Sequence, residues 1–156
     1  MPAPQTDLAN GLSDEATSSL WALGASLRSE AGATLFDLGA RADRVFQVIG
    51  GRVTLTLPMQ VRGRQQDVLV EERLAGETLG WSGLIPPHRY TLKATTPVET
   101  ELIAFPRDVL LRHFADNPQV AVAVTRNVAM VIGHRLQVFQ AMWLREMQRT
   151  IELRYS

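Results

Sequence analysis

The stretch VFQVIGGRVTLTL, residues 45–57, decides the fold. Its two halves, residues 45–49 and 53–57, are rich in β-branched residues, and the second alternates apolar and polar side chains. Alternation with a period of two is typical of a strand with one buried face, and the pair Gly50 and Gly51 allows a tight turn. The sequence therefore predicts two strands that pair as a β-hairpin.

Similar strand patterns extend on both sides of this stretch, from Gly32 to about Pro106. Short apolar runs are separated by turn residues, which is the pattern of antiparallel β-structure. The further runs are residues 35–36, 68–70, 91–95 and 100–105, with another turn at residues 62–64. We count about eight short strands, enough for a sandwich or jelly roll.

Helical patterns flank the strands. Ser13, followed by two acidic residues, supplies an N-cap for a short amphipathic helix over residues 13–28. A brief helix is predicted over residues 108–114, and a long one over residues 118–155. The fold class is therefore α+β, an antiparallel β-roll or jelly roll with a short N-terminal helix and a long C-terminal helix.

Three regions follow from these patterns. We predict an N-terminal tail over residues 1–12, a helix plus β-roll that binds a ligand over residues 13–117, and a dimerisation helix over residues 118–156. No helix-turn-helix domain follows the last region in this sequence. We therefore expect no direct binding to DNA.

The predicted C-terminal helix is long for the body that carries it. Its 38 residues would span about 57 Å, whereas a compact chain of this size is only about 40 Å across. An apolar stripe recurs along its outer half at Ile132, Leu136, Phe139, Trp143, Met147 and Ile151. Because a projecting stripe exposes too much apolar surface in a monomer, we expect a homodimer through this helix. The alternative is a break near Gly133 that folds the helix back onto the roll.

Composition excludes several classes of function. The 156 residues include 16 Lys+Arg, 16 Asp+Glu and no Cys. Balanced charge argues against a surface built as a whole for nucleic acid or an anionic membrane. The lack of Cys excludes disulfide scaffolds, Cys-based zinc sites, iron–sulfur clusters and Cys nucleophiles. With no secretory signal and no apolar run of about 18 residues, we expect a cytoplasmic protein with no membrane contact.

Several segments in a fixed order carry a resemblance to a known family. They are GATLFDLG (32–39), DRVFQVIGGRVTL (43–55), GETLG (76–80), KAT (93–95), AFPR (104–107) and VAMVIGHRL (128–136). In this order the chain resembles the cyclic-nucleotide-binding domain of the catabolite-activator (Crp/Fnr) type of bacterial sensor. The resemblance implies a regulatory domain that binds a cyclic nucleotide or another small anion and signals through its dimer helix.

The resemblance also implies where the ligand lies. In the family, a glycine-rich turn at a helix start holds the phosphate, an Arg pairs with it, and a Glu accepts a ribose hydroxyl. The corresponding stretch, which we call the cassette, is GWSGLIPPHRYT, residues 80–91. In it Trp81 replaces the Glu, His88 replaces the Arg, and Arg89 follows one position later. The ligand-site residues implied in this way are Gly80, Trp81, Ser82, Gly83, Leu84, His88, Arg89 and Tyr90.

These departures leave three hypotheses open. The domain binds a cyclic nucleotide such as cAMP or cGMP, or it binds another small ligand, or it binds none and is a protein-interaction module. Gly80 and Gly83 are equally explained as turn glycines, Trp81 as a core or pocket-wall aromatic, and Arg89 as a surface charge.

A ligand on such a fold would act by shifting a population. Ligand contacts to the cassette and to helix residues such as Arg135 or Gln137 would favour one helix arrangement. The second subunit, or another protein partner, would respond to that arrangement.

Enzyme chemistry has little support in the sequence. His88, His113 and His134 are too scattered for the metal motif of the cupin enzymes, which share this architecture. No nucleophile or phosphate-binding motif is present. The acidic pair Glu71-Glu72 lies near a predicted turn. We expect no catalytic or metal-binding residues and no enzyme activity.

Overall fold

The computed structural model describes residues 6–156. The elements in chain order are the helix α1 (Asp14–Trp21), the strands β1 (Ala25–Ser29), β2 (Ala33–Phe36), β3 (Arg44–Gly50), β4 (Arg52–Val61), β5 (Arg64–Leu74) and β6 (Thr78–Leu79), a 3₁₀ turn (Trp81–Gly83), the strands β7 (Lys93–Thr96) and β8 (Thr100–Pro106), and the helices α2 (Arg107–Asp116) and α3 (Pro118–Tyr155).

The strands of the described residues form two antiparallel four-stranded sheets. Their orders are β1-β8-β3-β6 and β2-β7-β4-β5. One apolar core fills the roll between them, and a second joins the roll to the helices. The predicted α+β fold, an antiparallel roll between a short N-terminal helix and a long C-terminal helix, is confirmed.

The predicted hairpin of residues 45–57 is wrong. Strand β3 pairs with β6 and β8, whereas β4 pairs with β5 and β7, so the chain changes sheets at the glycine pair. Gly51 has φ +91°, and a Cβ there would lie 2.6 Å from Thr100 Oγ1. The glycine therefore lets the chain turn a tight corner against β8. Alternation predicts both strands but does not distinguish a hairpin from a corner between sheets.

The helix predicted over residues 13–28 ends earlier. Its N-cap is confirmed, since Ser13 Oγ accepts a hydrogen bond from the Ala16 N–H at 3.1 Å. The helix stops at Trp21, however, and Ala25–Ser29 form β1, which pairs with β8. A Cβ at Gly24 would clash with Ile103 at 2.2 Å. This close approach to β8 redirects the chain into the sheet.

Residues 6–12, which fall within the predicted N-terminal tail, pack against the body; residues 1–5 lie outside the described residues. Leu8 is buried in the core that joins the roll to the helices. Asn127 Nδ2, on α3, donates to the carbonyls of Leu8 and Asn10, both at 2.8 Å. The segment thus ties the start of the chain to the long helix.

The long helix runs without a break from Pro118 to Tyr155, so the alternative in which it breaks at Gly133 is wrong. Its apolar stripe divides between two faces. Ile132 and Phe139 pack against the cores. The other stripe residues are exposed: Leu136, Trp143, Met147 and Ile151. One face of α3 therefore covers the roll, and a second apolar face stays uncovered in this chain.

Candidate ligand site

The glycines of the cassette serve its packing. Gly80 has φ +79°, and a Cβ there would lie 3.2 Å from the Arg44 carbonyl oxygen. The residues after it form a single 3₁₀ turn in which Gly83 N–H donates to Gly80 O and Leu84 N–H donates to Trp81 O, both at 2.9 Å. A turn this short has only a small dipole, and it uses these two donors internally. The structure thus accounts for both glycines as residues of a close turn.

Two cassette side chains are tied to neighbouring carbonyls. His88 Nδ1 lies 3.0 Å from Ser82 O. Arg89 is exposed, and its Nη1 donates to Gly39 O at 3.0 Å, in the loop after β2. Arg89 is therefore held at the outer surface of the roll.

Tyr90 belongs to the core of the roll. Its ring stacks on Phe36 with centroids 3.7 Å apart, and its hydroxyl donates to Arg44 O at 2.8 Å. Burial raises the pKa of Tyr90 to about 12. The hydroxyl consequently stays protonated at neutral pH and fixes the position of β3.

A cleft of about 280 Å³ lies between the roll and α3. Both parts contribute equally to its walls. The lining residues are Leu57, Trp81, Thr91 and Leu92 from the roll, and Ile132, Arg135, Leu136 and Phe139 from the helix. Of the predicted ligand-site residues in the cassette, Trp81 lines this cleft and Arg89 does not. Of the two helix residues named as ligand contacts, Arg135 lines the cleft and Gln137 does not.

Arg135 is the charged residue of the cleft, and only 8% of it is exposed. Its Nε donates to Glu71 Oε2 at 3.0 Å. Its Nη2 is buried and has no hydrogen-bond partner among residues 6–156. Burial lowers the pKa of Arg135 from its ordinary value, while the bond to Glu71 opposes this shift. An arginine nevertheless remains charged.

Glu71 joins Arg135 to a second buried arginine. Arg73 Nη1 donates to Glu71 Oε1 at 2.8 Å, Arg73 Nη2 lies 3.0 Å from Asp7 Oδ2, and Arg73 Nε donates to Thr78 O at 2.9 Å. We call Asp7, Glu71, Arg73 and Arg135 the buried ion cluster. It links the N-terminal segment, β5 and α3, and so fixes α3 on the roll.

Sequence reasoning missed this cluster. The sequence places Glu71 in an acidic pair near a predicted turn, but in the structure it lies inside β5, and its partner Arg135 is 64 residues away along the chain. The spacing of Glu71 and Arg73 places both on one face of a strand. That spacing is the one local signal of the buried ion cluster in the sequence.

Residues 6–156 contain no group of three or more His, Cys, Asp or Glu side chains placed to hold a metal ion. Nor does any helix in this part of the chain have the length and apolar character needed to cross a membrane.

Among known protein families, the model of the cyclic nucleotide-binding domain matches residues 27–117. Three solved structures are similar. The N-terminal domain of a transcriptional regulator from Streptomyces coelicolor is 27% identical, with a TM-score of 0.69, and the match covers 86% of this chain and 94% of that one. The catabolite activator protein of Thermus thermophilus is 21% identical with a TM-score of 0.72, over 92% and 63%.

The third structure is the sensor domain of the transcriptional regulator DNR from Pseudomonas aeruginosa. It is 21% identical, with a TM-score of 0.64, and the match covers 84% of this chain and 86% of that one. No curated protein sequence gives a significant match.

Proposed function

Since the chain belongs to the cyclic nucleotide-binding domain family, we propose that it is a ligand-sensing regulatory domain and not an enzyme. A small molecule binds in the cleft between the roll and α3. Binding changes the preferred arrangement of α3, and a homodimer formed through this helix transmits the change to a protein partner.

One observation carries this proposal: the walls of the cleft come in equal number from the roll and from the helix. A ligand in the cleft contacts both bodies at once. Its affinity therefore depends on how α3 lies on the roll, and binding shifts the population toward the arrangement that it prefers. Arg135 is placed to respond, because it lines the cleft and also bonds to Glu71 of the roll.

The exposed face of α3 supports the homodimer. Residues spaced alternately by four and three along the helix follow a heptad pattern, and all of them are exposed. We call these positions the seam: Val122, Arg126, Ala129, Gly133, Leu136, Gln140, Trp143, Met147, Thr150 and Arg154. Ala129 and Gly133, in its inner half, are small and permit close approach of a second helix, and Leu136, Trp143 and Met147 supply larger apolar side chains further along.

A cyclic nucleotide and another small ligand are both candidates for the cleft. The cassette supports a nucleotide weakly, because Trp81 supplies no carboxylate for a ribose and Arg89 is held by Gly39 at the surface. A ligand-free interaction module is the second candidate function. It is favoured by Phe139, which packs against the core of the roll from the helix side and so holds α3 on the roll without a ligand.

Thermal unfolding with a ligand panel tests the proposal. The panel contains cAMP, cGMP and a set of uncharged aromatic and aliphatic molecules. A ligand present at about 100 times its Kd should raise Tm by about 8 °C. The effect should vanish in Thr91→Trp, which fills the cleft from an exposed position, and should persist in Arg89→Ala.

Two results would contradict this account. If no member of the panel raises Tm, the ligand-free module is the better description. If Arg89→Ala abolishes the effect and Thr91→Trp preserves it, the ligand occupies the cassette surface and not the cleft.

A further inference from the structure

Two arginines face each other on the surface of the roll. Arg41 and Arg89 are partners in an isolated antiparallel bridge, and both are exposed. Backbone hydrogen bonds of 2.7 and 2.9 Å join the residues on either side of each arginine. The two arginines therefore form a pair without hydrogen bonds between their own backbones, which is the arrangement that brings opposite side chains closest on one face.

The backbone around this pair is held in place. Gly39 N–H donates to Tyr90 O at 2.8 Å, which extends the ladder beyond the bridge. His88 has φ +58°, a conformation that residues other than glycine rarely adopt, and its Nδ1 lies 3.0 Å from Ser82 O. Strained backbone of this kind is concentrated at functional sites, where the surrounding structure imposes it. Here it sets the position of Arg89, the next residue.

A third guanidinium lies beside the pair. It belongs to Arg107, the first residue of α2, whose Nη1 donates at 3.1 Å to the carbonyl of Ala42, the residue after Arg41. Its backbone N–H donates to Asp43 O at 2.8 Å. We call Arg41, Arg89 and Arg107 the arginine patch.

The arginine patch has no acidic partner within the described residues. No carboxylate of residues 6–156 lies within 4.0 Å of its three side chains. Asp43 and Asp108, its neighbours in the chain, lie instead 3.9 and 3.4 Å from Arg44 and Arg112. Even with Asp37 of the nearby loop counted, the patch keeps a net positive charge. Because like charges directly opposite each other destabilise a strand pair, an anionic group placed between them stabilises it.

The geometry favours carboxylates as that anionic group. The planar fork of a guanidinium matches the two oxygens of a carboxylate. The patch is small, on a chain without net charge, and Asp37 and Asp43 beside it repel a long row of phosphates. These features fit a short acidic stretch of protein better than a nucleic acid.

We propose that the arginine patch binds an acidic segment of the protein partner, in which two or more carboxylates lie close together. This inference rests on the function proposed above, which requires such a partner. Arg107 begins α2, and α2 leads into α3 through the single residue Asn117. A partner on the patch therefore contacts the helical part of the domain as well as the roll.

The test uses octaglutamate labelled with tetramethylrhodamine, with labelled octaglutamine and labelled octathymidine as comparison probes. Each probe is titrated into the wild-type chain and into two double variants, and fluorescence anisotropy measures binding. Arg41→Gln, Arg89→Gln removes the facing pair. Arg62→Gln, Arg64→Gln is the matched control, because it removes the same charge from the exposed turn between β4 and β5.

Octaglutamate should bind the wild-type chain more tightly than either comparison probe, and its affinity should fall as salt is added. The patch variant should weaken this binding about tenfold, because two charge-assisted pairs are lost, whereas the control should stay within about twofold of wild type. Arg41→Gln alone should raise the Tm of the free chain, since it removes the repulsion between the facing arginines. A lower Tm would contradict that repulsion.

Other outcomes would overturn the inference. If both double variants weaken octaglutamate binding equally, the attraction is not specific to the patch. Tighter binding of octathymidine that the patch variant abolishes would assign the patch to nucleic acid, and absence of octaglutamate binding would remove the acidic partner. The sensing function is judged separately: a rise in Tm with a panel ligand that Thr91→Trp abolishes and the patch variant keeps would preserve it.

Discussion

Replacing Trp143 with Glu should convert the chain from a dimer into a monomer with a mass of 17.3 kDa by light scattering. Trp143 is a seam residue and is 66% exposed in the single chain. In a two-fold dimer it lies near its own copy, so the substitution removes apolar contact and places two negative charges close together. The wild-type chain should have twice the monomer mass under the same conditions.

Ala141→Glu is the matched control. It adds the same charge two residues away, at an exposed position outside the seam. The control should remain dimeric, because its side chain points away from the partner helix. A wild-type chain that is already monomeric, or equal loss of the dimer in both variants, would remove the seam as the dimer interface.

The second large effect concerns stability. Glu71→Ala should lower the free energy of unfolding by about 3–5 kcal/mol, because it leaves Arg73 and Arg135 buried without the acid that joins them. The double variant Glu71→Leu, Arg135→Leu should lose less than the sum of the two single changes, since it removes both members of one pair. Urea unfolding at neutral pH measures all of these differences.

Glu101→Ala is the control for that series. It breaks an ion pair with Arg28 of similar length, 2.9 Å, in which both side chains are more than half exposed. Such surface pairs contribute about 0–1 kcal/mol. If Glu71→Ala were as mild as Glu101→Ala, the buried ion cluster would not fix α3 on the roll.

Local patterns predicted the elements of the fold well. Ser13 caps α1 as expected, the predicted strand runs lie in strands except for residues 91–92, which precede β7, and the long helix begins at Pro118 and ends at Tyr155. These features depend on neighbours a few residues apart, which a sequence displays directly. The failures, by contrast, depend on distant contacts.

The corner at Gly51 illustrates this limit. A glycine pair between two alternating runs is equally compatible with a hairpin and with a change of sheet, and the choice depends on Thr100, which is remote in the sequence. The end of α1 likewise depends on Ile103, against which Gly24 packs. Neither contact has a signature within the local window.

The candidate site was predicted less completely than the fold. The family resemblance implies a site in the cassette. Of those residues Trp81 lines the cleft, whereas Arg89 donates to a loop carbonyl and Tyr90 packs in the core. The place of Arg135 on the helix predicts a contact with the ligand. Nothing in the sequence predicts its pairing with Glu71, because the packing of α3 against β5 brings the two residues together.

Fluorine NMR of the chain labelled with 5-fluorotryptophan tests the central claim most directly, because the three tryptophans report on three places. Trp81 lines the cleft, Trp143 lies in the seam, and Trp21 packs against Phe105 in the core with centroids 5.4 Å apart. Single Trp→Phe variants assign the signals. Titration with the ligand that raises Tm should move the signals of Trp81 and Trp143 together and leave that of Trp21 in place. A ligand that binds without moving the Trp81 signal, or that moves it while the Trp143 signal stays fixed, would contradict a cleft whose occupancy the dimer helix transmits.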